Sequence, residues 1–174
     1  MNSLQNIMAD YAYIGMGANL PSSYGSPLET LHAAISTLEG LSVSPLRCSS
    51  FWQSEPLDCP PDSPVFTNAV VGLIPHNDET PHSFLEKLQN IENKFGRSRS
   101  GLLNEARVLD LDLLVFKSVE MSEEKLTLPH PRMHERLFVL APLSELSADL
   151  LIAGQQFTVK DLVKTLADQS IYRL

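Results

Sequence analysis

The run Arg107-Val-Leu-Asp-Leu-Asp-Leu-Leu-Val-Phe116 carries two residues placed for chemistry, Asp110 and Asp112. Apolar and branched residues dominate it, which predicts a strand. Side chains alternate faces along a strand, so Asp110 and Asp112 point one way and Leu109, Leu111 and Leu113 the other, toward a core. Two residues of rise set the carboxylates roughly 6–7 Å apart. At an effective dielectric of about 20, a half-buried bare pair repels by roughly 2–3 kcal/mol. A divalent cation turns that repulsion into attraction, and two oxygen donors suit Mg²⁺. Taken alone, the pair fits either a metal site or an ordinary half-solvated strand face.

Other residues bear on that choice. Five of the seven arginines (Arg97, Arg99, Arg107, Arg132, Arg136) fall between positions 97 and 136. The chain as a whole has net charge −8, which argues against general nucleic-acid binding. Arginines gathered around an Asp-x-Asp strand suit a compact polyanion and its metal. His130 lies between two prolines, in extended backbone, beside Arg132 and Arg136. A lone histidine is more often structural; this setting suits phosphate. Asn68, polar within an apolar strand, is either a satisfied sheet amide or a reader of a ligand. Glu92, at the edge of a helix stripe, either reaches water or aims into a site.

The elements that position these residues follow from periodicity and punctuation. A first strand is expected over 11–17; its Gly15 and Gly17 lack the third glycine of a dinucleotide fingerprint. Ser26-Pro27-Leu28-Glu29 is a capping box opening a helix that Gly40 should end. A second strand is expected over 42–53. Residues 58–64 form a proline-rich loop, and a third strand over 65–74 pairs with the second. Thr80-Pro81 opens a second helix, with Phe84, Leu88, Ile91 and Phe95 inward and Gly96 as its stop. Residues 96–106 make a loop rich in Gly, Ser, Arg and Asn. The fourth strand covers 107–117, a short hairpin excursion 118–127, and a helical segment 137–146 bends near Pro142. Thr158 to Asp161 opens a last helix.

The order strand, helix, strand, strand, helix, strand predicts an α+β fold of the ferredoxin-like split βαβ type, an antiparallel sheet with helices on one face. At 174 residues, 43% hydrophobic and 20% charged, the chain reads as one globular domain over 11–174 after an extension at 1–10. No apolar run has the length of a membrane span, and no secretory signal opens the chain. Cys48 and Cys59 read as free thiols of a reducing cytoplasm. There is no Walker-type loop, so any nucleotide is held another way.

Several stretches together resemble the 6-hydroxymethyl-7,8-dihydropterin pyrophosphokinase family of folate biosynthesis. They are Tyr13-Ile-Gly-Met-Gly-Ala-Asn-Leu20, Ser49-Ser-Phe-Trp-Gln-Ser-Glu-Pro56, Phe66-Thr-Asn68 and Gln89-Asn-Ile-Glu92. Gly96-Arg97, Arg107-Val-Leu-Asp-Leu-Asp112, Leu128-Pro-His130 and Arg136-Leu-Phe138 complete the set. The resemblance spans roughly residues 11–166 and implies transfer of the β,γ-pyrophosphoryl group of ATP to the pterin hydroxymethyl oxygen, releasing AMP. It implies that Asp110 and Asp112 bind two Mg²⁺ ions, and that Arg97 and Arg107 act on the transferring phosphates. It places Gln89, Glu92, Arg99, Leu113, Thr127, His130 and Arg136 with ATP. It places Ser54, Glu55, Leu57, Phe66, Asn68 and Phe138 around the pterin. The partners implied are these small molecules, with no nucleic acid and no membrane, for a cytoplasmic monomer.

The chain departs from the family at Glu105-Ala106, where a small residue or glycine, often followed by proline, is common. Glu105 adds negative charge near the expected phosphates and bears on loop closure and turnover. Two other functions use the same residues. One is another Mg²⁺-dependent phosphoryl-transfer enzyme; the other is a relative that binds pterin and nucleotide without turnover.

Overall fold

The structure is a computed structural model and describes residues 10–57, 59, 62–97 and 106–174. In chain order the elements are β1 (Ala12–Ala18), α1 (Pro27–Leu38), β2 (Arg47–Cys48), β3 (Trp52–Ser54), β4 (Phe66–Leu73), α2 (Pro81–Lys94) and β5 (Asp110–Phe116). Then come β6 (Met121–Ser122), β7 (Thr127–Leu128), α3 (Leu137–Ser147), α4 (Val159–Thr165) and β8 (Ile171–Arg173). The sheet order is β5-β1-β4-β3-β8, antiparallel at every pairing, with β2 also on β4. β6 and β7 form a separate ribbon. With β4 lying antiparallel between β1 and β3, the expected split βαβ arrangement is present.

Local chemistry explains the helix starts. Ser26 N–H donates to Glu29 Oε2 at 2.8 Å, and Ser26 Oγ accepts from Glu29 N–H at 3.4 Å, with Pro27 at the first helical position. α2 uses Thr80 and Ser83 in the same reciprocal way, at 3.1 and 3.0 Å, before Pro81. Gly96 ends α2 at φ +89°, a torsion that favours glycine. Gly40 does not end α1: that helix stops at Leu38, and Gly40 falls inside a 3₁₀ turn over Glu39–Leu41.

The strand expected over 42–53 is two short pieces. Between them Val70 N–H donates to the Ser49 hydroxyl at 2.9 Å, a side chain standing in for a ladder carbonyl. The sheet also gains an edge strand, β8, which pairs with β3 and was not expected from the sequence. Its side chains are exposed apart from a half-buried Ile171, so it carries little hydrophobic signal.

Helices cover both faces of the sheet, where one face was expected. Leu31, Ala34 and Leu38 of α1 and Phe84, Leu88 and Ile91 of α2 pack on Ile14, Met16, Val71, Leu111 and Leu113. On the other face Val139, Leu140, Leu143 and Leu146 of α3, with Val159 and Leu162 of α4, pack on Tyr13, Val70 and Leu114. The run 137–146 is apolar nearly all round, so periodicity assigned it no sheet face. Pro142 lies inside α3.

Candidate active site

Register fixes the floor of the site. Asp110 pairs with Gly17 and Asp112 with Gly15 across β5 and β1, while Gly17 pairs with Asn68 across β1 and β4. Paired residues share a face, so Asp110, Gly17 and Asn68 form one row and Asp112 and Gly15 the next. The glycines keep this floor flat. A Cβ on Gly17 would lie 3.4 Å from Asn68 Oδ1, and one on Gly15 3.4 Å from Leu114 Cδ1. Both aspartates are half-buried on this face, and Leu111 and Leu113 are core on the other, as the alternation predicted.

The floor opens into a cleft of about 660 Å³ counting its open mouth. Gly15, Gly17 and Asn68 lie beneath it, with Asp110, Asp112 and Arg107 on one side. Ser54, Glu55, Leu57 and Phe66 form the opposite wall, and Arg136 and Phe138 close the third side from the start of α3. Asn68, only 4% exposed, donates from Nδ2 to Ser54 Oγ at 2.9 Å. The Arg136 guanidinium lies 5.5 Å over the Phe138 ring.

Charge is concentrated on the β5 side. Asp110 takes two arginines, Arg97 Nη1 on Oδ1 and Arg107 Nη1 on Oδ2, each at 2.6 Å. Arg97 also binds Glu92. Burial opposes the charge on Arg97, but Asp110 and Glu92 outweigh it and raise its pKa. Glu92 settles its two readings: it is 2% exposed, and its Oε1 also accepts the Leu111 N–H at 2.8 Å. It therefore holds β5 and Arg97 from behind. Asp112 sits where burial first, and the Asp110 charge second, push its carboxyl up to about 7. Arg136 and Arg107 pull it back only in part.

His130 is fixed twice by backbone. Its N–H donates to the carbonyl of Leu114, the residue that a register shift leaves unpaired in β5, at 2.8 Å. The Arg132 N–H donates to its Nδ1 at 3.2 Å, so Nε2 carries the proton. Burial, then the charges of Arg136 and Arg132, push His130 down to about 4. Burial and Arg132 also lower Arg136.

Not every expected residue gathers here. Gln89 lies exposed on α2, away from the cleft walls, and the Leu113 side chain is in the core. Thr127 is half-buried on β7. Arg99 and Glu105 lie outside the described residues. Sequence reasoning passed over three supports. Asn19 Oδ1 accepts the Arg107 N–H at 2.7 Å. Gln169 bonds both neighbours of Arg136, accepting from Leu137 N–H at 2.9 Å and donating to Glu135 O at 2.8 Å. Cys59, read only as a thiol, lines the cleft. Asn19 lay in a quoted motif; Gln169 left no local signal.

The donor set suits a hard divalent cation. Asp110 and Asp112 are oxygen donors of the kind Mg²⁺ takes; among the described residues no three His, Cys, Asp or Glu side chains converge. An α+β sheet whose central strands floor a cleft with paired carboxylates and arginines at one end and the side chains of Phe66 and Phe138 at the other makes a site of the phosphoryl-transfer type. Residues 13–148 match the model of the 7,8-dihydro-6-hydroxymethylpterin-pyrophosphokinase (HPPK) family. A Haemophilus influenzae 2-amino-4-hydroxy-6-hydroxymethyldihydropteridine pyrophosphokinase is 40% identical over 164 residues, covering 94% of this chain and 97% of that one. The Bacillus subtilis pyrophosphokinase is 36% identical, covering 80% and 79%. Among solved structures, wild-type Plasmodium falciparum HPPK-DHPS superposes at TM-score 0.66 and 13% identity, over 91% of this chain and 41% of that chain. That likeness speaks for the fold. The chain belongs to the HPPK family.

Proposed function

We propose that this cleft is the active centre of an ATP-dependent pyrophosphokinase of folate biosynthesis. ATP gives its β,γ-pyrophosphoryl group to the hydroxymethyl oxygen of 6-hydroxymethyl-7,8-dihydropterin, and AMP leaves. The observation that carries this reading is the joining of two unlike ends in one cleft. Asp110 and Asp112 stand at one, and the Asn68, Phe66 and Phe138 slot at the other.

In this reading Asp110 and Asp112 hold two Mg²⁺ ions, which when bound neutralise charge on the attacking and leaving oxygens. Arg97 and Arg107 hold the transferring phosphates in line. His130 presents its Nε2–H, and Arg136 its guanidinium, to the nucleotide phosphates; the family resemblance assigns Arg99, Thr127, Gln89 and Leu113 to ATP as well, and of these Gln89 stands apart from the cleft lining. Glu92 orients Arg97 and the Leu111 backbone on the nucleotide side. Phe66 and Phe138 take the faces of a flat bicyclic ring, and Asn68 with the Ser54, Glu55 and Leu57 backbone reads its edge. Such a site works by positioning and charge stabilisation. In this reading the chain acts on small molecules as a cytoplasmic monomer.

Separate titrations of the pterin and of α,β-methylene-ATP test the division of the cleft. Asn68→Ala should weaken pterin binding by about 1–3 kcal/mol and leave the nucleotide analogue unchanged. A loss confined to the nucleotide analogue would overturn the assignment.

A further inference from the structure

We infer that Arg97 and Arg107 act as stand-in cations on Asp110 in the nucleotide-free protein, so that the carboxylate pair refuses a bare divalent cation and admits one only together with a phosphate chain. This rests on the reading of Asp110 and Asp112 as metal-holding residues.

The geometry carries it. Both carboxylate oxygens of Asp110 are engaged, Oδ1 by Arg97 and Oδ2 by Arg107, each at 2.6 Å. A cation approaching Asp110 must displace at least one guanidinium or share an oxygen with it. Arg97 is also tied to the buried Glu92, and the backbone that carries Arg107 is clamped by Asn19. A bare dication would therefore enter against the repulsion of two guanidinium groups held at short range. Among the described residues the carboxylates of Glu92 and Asp110 are matched at close range by Arg97 and Arg107, and Asp112 feels the charges of Arg136 and Arg107.

A triphosphate changes the partners. Its oxygens are acceptors of the kind guanidinium groups fork onto, so Arg97 and Arg107 can exchange Asp110 for phosphate without passing through an unpaired state. Asp110 is thereby released for the metal that the nucleotide brings. The exchange makes and breaks only ion pairs and hydrogen bonds. The same two arginines thus guard the site when it is unliganded and hold phosphate when it is filled. Asp112, with no arginine at hydrogen-bond distance among the described residues, remains the point of first contact.

Mn²⁺ binding, read by the loss of the free-ion electron paramagnetic resonance signal, tests this without turnover. The wild-type protein should bind Mn²⁺ alone weakly, and retain it in a complex when α,β-methylene-ATP is present. Arg97→Gln and Arg107→Gln, made separately, should each bind Mn²⁺ alone about tenfold more tightly than wild type, because a competing cation is gone. Unchanged or weaker binding of Mn²⁺ alone in both folded variants would overturn the inference. So would wild-type protein that binds Mn²⁺ equally well with and without the analogue. Binding that survives in both Asp110→Asn and Asp112→Asn would remove the metal assignment beneath it.

Discussion

The side-chain oxygen of Asn19 accepts the backbone N–H of Arg107 at 2.7 Å, while its Nδ2 donates to the Pro64 carbonyl at 3.2 Å. The N–H groups of Asn19 and Leu20 return to the Arg107 carbonyl at 3.0 and 3.2 Å. One residue at the end of β1 thus ties the segment before Phe66, on the pterin side, to the arginine on the phosphate side. Asn19→Ala leaves the Arg107 N–H and the Pro64 carbonyl without these partners, at a site where Asn19 is 4% exposed. The expected cost is about 1–3 kcal/mol of stability, with a fall in kcat larger than any change in KM. Asn19→Asp keeps the acceptor toward Arg107 and should recover part of kcat. Urea unfolding and steady-state kinetics on both variants check this.

On the metal-holding role proposed for Asp112, Asp112→Asn should lower turnover by about a thousandfold or more, the loss of several kcal/mol of transition-state stabilisation. It should also stabilise the metal-free protein. The folded state raises the Asp112 carboxyl to about 7, so between its ordinary value near 4 and that point the folded protein binds more protons than the unfolded chain. Stability is therefore lost as pH rises through this window. The variant should gain on wild type from pH 5 to pH 8, as chemical denaturation at the two values would measure.

His130 shows the opposite sign. Burial and the charges of Arg136 and Arg132 lower it to about 4, so the folded protein holds a neutral imidazole that the unfolded chain would protonate below about 6.5. This contribution to stability is complete above that value and is lost as pH falls toward 4. A histidine-resolved NMR titration should place its midpoint well below the ordinary histidine value. Arg132→Ala should move the midpoint upward.

Gln169 brackets Arg136 from a segment more than thirty residues away in sequence, through Leu137 N–H and Glu135 O. Gln169→Ala removes both bonds. The expected result is a loss of about 1–2 kcal/mol of stability and a KM for ATP raised more than that for the pterin. Equal changes in both would mean general loosening of the cleft instead.

The parts of this site that were legible in the sequence are those that depend on period. Asp110 and Asp112 share a face because strands alternate, and the caps at Ser26 and Thr80 announce themselves within four residues. Glu92 was half legible: helical spacing gave its angle on α2, but its partners Leu111 and Arg97 belong to the fold. Asn19 and Gln169 act across 88 and 32 residues, and β8 pairs with a strand more than a hundred residues earlier. Neither composition nor spacing carries such contacts. The second helical layer escaped for a related reason, because an all-round apolar segment can pack on either face.

The central claim is pyrophosphoryl transfer to a pterin, and one assay addresses it. Purified protein is mixed with MgATP and 6-hydroxymethyl-7,8-dihydropterin, and the nucleotide products are resolved. The account predicts AMP appearing one-for-one with the pterin pyrophosphate, and only with the divalent metal present. ADP or inorganic phosphate formed without regard to the pterin would contradict it.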